Sequence, residues 1–237
     1  MIINEDGWLE KDEFDDPDFF IEIVKTPNFT SHQWAKFYRY GVCFHWDACL
    51  TSQIAINSIM SPRSPSAHLN FKRNGDIIQF VSFNDISWHA GLEAGVGWKN
   101  PATGETMNVT NYANPNFYFI GIEFSNVGMI LEKADGTKKC GHMGGNNWAW
   151  DVPATMKLRE FNPPLENNRY WEDVYEPQVA TCKKVFKLIV NTYGITREWV
   201  VDHRYIMPAQ KSDCISIDWK QYVDEAYAEI EEEKKPY

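Results

Sequence analysis

No run of about 18 or more apolar residues occurs in these 237 residues, so nothing in the chain reads as a membrane span. The amino terminus, Met1-Ile2-Ile3-Asn4-Glu5-Asp6, lacks the basic segment and apolar stretch of a secretory signal. Basic residues are the minority: 23 Lys and Arg against 33 Asp and Glu leave a net charge of −10, which argues against a nucleic-acid partner. Cysteine is sparse and unpaired in spacing. Five thiols (Cys43, Cys49, Cys140, Cys182, Cys214) make no disulfide framework and point to a chain synthesised in the reducing cytosol. No internal repeat and no linker divides the chain.

Apolar residues make up 43% of the sequence, enough for one large core. Aromatics reach 15% with ten Trp, which suits a groove lined with flat side chains or, equally, aromatics spread through the core. Residues 1–25 are acidic (Glu5, Asp6, Glu10, Asp12, Glu13, Asp15, Asp16, Asp18) and read as a loosely attached leader draped over a domain spanning 26–237. The turn Thr26-Pro27-Asn28 closes it.

Tyr40-Gly41-Val42-Cys43-Phe44-His45 predicts a short strand with Cys43 and His45 on one face. A His ending a strand of an α/β domain sits where ligand sites form, although such a residue also occurs as a hydrogen-bonded core histidine. Helical spacing follows over residues 51–60. Two apolar runs flanking Asn74-Gly75 predict a hairpin. Trp88-His89-Ala90-Gly91 belongs to a compact loop, and residues 92–116 form a long Gly- and Asn-rich rim or lid.

Residues 117–124 are almost continuously apolar, the pattern of a central strand buried on both faces. Their one charge, Glu123, needs an ion pair, hydrogen bonds or a metal nearby. Residues 125–164 read as irregular surface loop, with Cys140, His142 and Gly144-Gly145-Asn146-Asn147 assigned no chemistry. Apolar spacing at Val179, Cys182, Phe186, Ile189 and Tyr193 predicts a helix ended by Gly194. A second helix carries Trp219, Val223, Ala226 and Ile230, with Ser216 as its N-cap. Between them, Trp199-Val200-Val201 predicts a strand, and residues 202–219 a loop holding His203, Lys211, Asp213 and Cys214. One imidazole, one cation and two anionic ligand candidates would close a zinc site if a second His joins them.

In this order, His45, the hairpin that starts at Ala67-His68, Trp88-His89-Ala90-Gly91, Ile120-Gly121-Ile122-Glu123 and the His203–Asp213 loop resemble the zinc-dependent N-acetylmuramoyl-L-alanine amidases. These share a fold with peptidoglycan recognition proteins and phage lysozyme-amidases, and the likeness is strongest to the anhydro-muropeptide amidase branch. The resemblance implies a single α/β domain with a central mixed β-sheet flanked by helices. It implies one zinc ion on His45, His203 and Asp213, with Cys214 the alternative third ligand. Glu123 becomes the general base and Lys211 the oxyanion partner, while Trp88, His89, Asn116 and His68 fall to the groove or to support behind the ligands.

The substrate implied is peptidoglycan or a muropeptide, cut between N-acetylmuramic acid and L-alanine. A non-catalytic peptidoglycan-binding protein is the alternative from another class. The same activity also serves lysis enzymes and exported antibacterial effectors, for which an immunity or inhibitor protein would be a partner. Cytosolic synthesis is compatible with action there, or in the periplasm or wall after lysis or dedicated export.

Overall fold

The computed structural model describes residues 1–12, 19–31, 39–92, 95–110, 113–142, 148–208, 211, 213–214 and 217–234. A six-stranded mixed sheet lies at its centre, built from Ile21–Ile23 (β1), Gly41–Trp46 (β2), Leu69–Phe71 (β3), Ile77–Gln79 (β4), Phe119–Phe124 (β5) and Val200–Asp202 (β6). Its spatial order is β6-β2-β5-β3-β4-β1, and only the β3–β4 hairpin is antiparallel. Three neighbours, β6, β2 and β5, run parallel, so their carboxyl ends open on one side.

Alternation sorts the side chains onto two faces. Val42, Phe44, Ile120, Ile122, Phe124, Leu69 and Val200 face one core, shared with helices Glu176–Tyr193 (α2) and Trp219–Glu233 (α3). Cys43, Phe119 and Val201 face the other, with Trp98 and Met207. His45 and Glu123 continue this second face, away from the long helices. Helix Ser52–Met60 (α1) packs there too, Ile59 meeting Ile78, Phe80 and Val81.

The α/β expectation therefore holds, as do the hairpin and α1 to α3. Several details differ. The apolar run before Glu123 starts with a short helical turn, Pro115–Tyr118, because Pro115 suits a first helical position and Asn114 caps it. Within the 92–116 segment, Gly97–Lys99 pairs with Thr106–Asn108, and Trp98 is buried against Phe119. Asp218, not Ser216, caps α3, its side chain accepting from Gln221 N. Ser216 lies outside the described residues.

The largest departure is a five-stranded antiparallel sheet where a surface loop was expected. Its strands are Met129–Glu132, Lys138–His142, Trp148–Asp151, Leu158–Leu165 and Asn168–Glu172. Cys140 is buried in its own small core with Val127 and Ile130. The His142 side chain and Gly144-Gly145-Asn146-Asn147 lie outside the described residues.

The described parts of the first 25 residues pack on the domain. Ile2–Ile3 pairs with Leu9–Glu10, Leu9 N donates to Gln79 Oε1 at 2.7 Å, and β1 forms one edge of the central sheet. Glu13, Asp15, Asp16 and Asp18 are outside the described residues. All five cysteines are free and buried. Among the described residues no helix is long and apolar enough to cross a membrane.

Candidate active site

Three strand ends and one returning loop bring the chemistry together. His45 lies near the end of β2, and its neighbour in register on β5 is Glu123. His203 directly follows β6. There Asp202 accepts from Tyr205 N at 2.9 Å, starting the short helix His203–Ile206, and from Trp219 Nε1 at 3.1 Å. One carboxylate thus staples both ends of the 202–219 loop. Inside it, Arg204 N donates to the Asp213 carbonyl at 3.2 Å, which folds Asp213 back onto His203.

The result is a triangle of ligand atoms. His45 Nδ1 and His203 Nδ1 are 2.9 Å apart, Asp213 Oδ2 is 2.9 Å from His203 Nδ1, and it is 3.4 Å from His45 Nδ1. Ligands about 2.0–2.1 Å from a tetrahedral zinc lie roughly 3.3 Å from one another, so these edges suit one small divalent ion. All three residues are buried, and together they form one of two groups among the described residues whose ligand atoms lie within 4.8 Å of one another. Cys214, the alternative third ligand, instead lies fully buried in the α2–α3 core.

Electrostatics fit a cation at that point. Burial, then the His203 charge, holds His45 down at about 4, although Asp213 pulls the other way. Burial works to raise Asp213, but hydrogen bonds with His203 and His45 outweigh it and keep that carboxyl well below its usual range. Two imidazoles and one carboxylate are a common donor set for catalytic zinc. Glu123 adds an independent sign. Its Oε2 is buried with no hydrogen-bond partner, an acceptor left open beside the triangle. Burial pushes its carboxyl well above the ordinary range, the Asp47 and Asp213 charges adding to this and Lys211 opposing it.

A cavity of about 330 Å³ joins these groups, lined by His45, Glu123, His203, Lys211 and Asp213 together with Trp88 and His89. It shares Pro65, Trp88 and Gly91 with an outer bay of about 430 Å³ that also touches Asn116 and Arg63. Lys211 is exposed at the rim, and Trp88 is 36% exposed. Asn116 spends its Oδ1 on His89 N and Ala90 N, at 2.9 and 2.8 Å, and so fixes the Trp88–Gly91 loop.

His68 does not reach the cavity. It is fully buried, its Nδ1 accepting from Gly121 N at 3.0 Å and its Nε2 donating to the Asp85 carbonyl at 3.1 Å. Burial lowers both His68 and His89 well below the usual imidazole value. A larger cavity, about 710 Å³, runs along the outer edge of β6, but its arginines are occupied: Arg197 by Asp224 at 2.5 Å and Arg204 by Asp202 at 3.5 Å.

Sequence reasoning passed over Asp47. It lines the cavity and accepts from Cys49 N, Asn70 Nδ2, Ser125 Oγ and Asn126 N. Burial nevertheless pushes its carboxyl up to about 6. The available signal was its place two residues beyond a histidine at the carboxyl end of a parallel strand.

Known proteins bear on the fold and the family. Among curated proteins none matches the chain in sequence. Among solved structures, a selenomethionine derivative of AmpD superposes with a TM-score of 0.52 at 17% identity, over 94% of this chain and 97% of that one. AmiD from E. coli, solved with the substrate anhydro-N-acetylmuramic acid-L-Ala-D-gamma-Glu-L-Lys, superposes with a TM-score of 0.50 at 19% identity, over 94% of this chain and 65% of that one. Residues 38–215, about three quarters of the sequence, match the family described as N-acetylmuramoyl-L-alanine amidase. The chain belongs to the N-acetylmuramoyl-L-alanine amidase family.

Proposed function

We propose that this chain cleaves the amide between the lactyl carbonyl of N-acetylmuramic acid and L-alanine of peptidoglycan or its fragments, using one zinc ion held by His45, His203 and Asp213. The observation that carries this reading is the ligand triangle, with edges of 2.9, 2.9 and 3.4 Å, beside a partnerless Glu123 oxygen. When bound there, zinc supplies Lewis acidity, lowering the pKa of water and polarising the scissile carbonyl.

The protein does the rest. Glu123 takes the proton of the attacking water and returns it to the departing alanine nitrogen, for which its raised proton affinity is suited. Lys211, exposed at the cavity rim, supplies positive charge for the oxygen that gains negative charge. Trp88 forms a groove wall, and His89 supports the metal from behind. Peptidoglycan-derived substrate places the action in the cytoplasm on released fragments, or in the wall after lysis or export.

The test uses purified chain with an anhydro-muropeptide and, in parallel, polymeric peptidoglycan. Release of free stem peptide, abolished by a chelator and restored by zinc, is the expected result. Protein that carries no stoichiometric zinc and releases no peptide from either substrate would refute it, leaving a wall-binding protein.

A further inference from the structure

We infer that His89 is a positioning residue that decides which nitrogen of His45 is free, acting through the backbone carbonyl of Phe119. This rests on the metal-site reading above. His89 Nε2 lies 3.2 Å from the Phe119 oxygen, and a carbonyl only accepts. That nitrogen therefore carries the proton, and in a neutral ring Nδ1 is then the acceptor. Nδ1 faces His45 Nε2 at 2.9 Å, so His45 donates from Nε2. Its lone pair is left on Nδ1, the atom at the corner of the triangle.

His203 reaches the same state more directly, its Nε2 lying 3.2 Å from the Ala90 carbonyl. Thus one ligand is oriented by a carbonyl and the other by a carbonyl relayed through a second ring. Such outer partners fix the tautomer and raise ligand basicity.

The seat of His89 is built for this. Its ring lies against Gly121 so closely that a Cβ there would come within 2.6 Å of His89 Cγ. Gly121 is held in turn by His68, whose Nδ1 takes its N–H at 3.0 Å. Asn116 fixes the His89 backbone. Cys43, His45 and His89 also bring ligand atoms within 4.8 Å of one another, but the same hydrogen bonds already use the two imidazoles, so that group is spent.

Zinc affinity of the full chain, read by competition with a chromogenic chelator, tests the relay. His89→Phe fills the seat without an acceptor and is expected to weaken zinc binding about 10- to 100-fold. His89→Asn sets an amide oxygen near the lost Nδ1 and is expected to stay within about threefold of the wild type. A Phe variant that binds like the wild type overturns the relay, as does an Asn variant as weak as Phe. Wild-type protein that binds no zinc refutes the metal reading instead. The 15N imidazole spectrum of the wild type, with or without zinc, reads the relay separately: His89 should carry its proton on Nε2, and a proton on Nδ1 overturns the inference.

Discussion

The two large sheets solve different problems. In the central sheet, parallel strands buried on both faces send their carboxyl ends to one place, and His45, Glu123 and His203 stand there. The second sheet is wholly antiparallel, with Met129–Glu132 between Lys138–His142 and Asn168–Glu172, its own small core and none of the proposed site residues. Among the described residues, it meets the cavity through a seam. Trp171 packs against Trp46 with ring centroids 5.6 Å apart and the planes tilted by 39°, and Glu172 pairs with Arg73, whose guanidinium also donates to the carbonyls of Cys49 and Leu50. Parallel topology concentrates chemistry at strand ends, while the antiparallel sheet adds wall and support.

The contrast breaks most sharply in the central sheet. His203→Ala is expected to lower zinc affinity by about 10³-fold or more and to abolish turnover, because two donors do not replace three. Metal analysis of the purified variant checks it, and full zinc occupancy would remove His203 from the ligand set. Next in size, Glu123→Gln should retain zinc yet lose at least about 10²-fold in kcat. Single-turnover peptide release reads this, and near-normal rates would take the base role away from Glu123.

The same divide explains what could be read from the amino acids. Glu123 stood out because a lone carboxylate interrupts an otherwise apolar strand, and His45 because it ends one. The different positions of Asp213 and Cys214 needed coordinates: adjacent residues in a loop carry no periodicity, and the fold sets one carboxylate beside both imidazoles and the neighbouring thiol in the core. The second sheet was missed because its strands are half-exposed and interrupted by Lys, Gly and Pro. Its cues lay in the turns. Asp135-Gly136 joins two strands, and Glu166 and Asn167 both take positive φ, 48° and 64°, as a type I′ hairpin turn requires.

Smaller effects belong to the seam. Glu172 is fully buried, receives Arg73 Nε at 2.5 Å and accepts from Val127 N at 2.6 Å. Glu172→Gln leaves that guanidinium without its counter-charge and should cost about 3 kcal/mol of stability. Urea unfolding measures it. Zinc affinity should be unchanged, and a parallel loss of zinc would mean that the second sheet shapes the triangle after all.

Asp47 gives the finest reading, since it accepts both from Asn70 of the central sheet and from Asn126, which leads into the second. Its folded value of about 6 lies above the ordinary 3.8, so in the metal-free protein the native state holds a proton that the unfolded chain has released. Stability from this group is therefore present at low pH and declines as pH rises through about 4 to 6, by up to about 3 kcal/mol. Asp47→Asn removes the titration and leaves other slopes in place. The stability of the variant relative to the wild type should climb across that window and level off above it, whereas a gap that stays constant from about pH 4 to 7 would mean that the four donors fully offset the burial of Asp47.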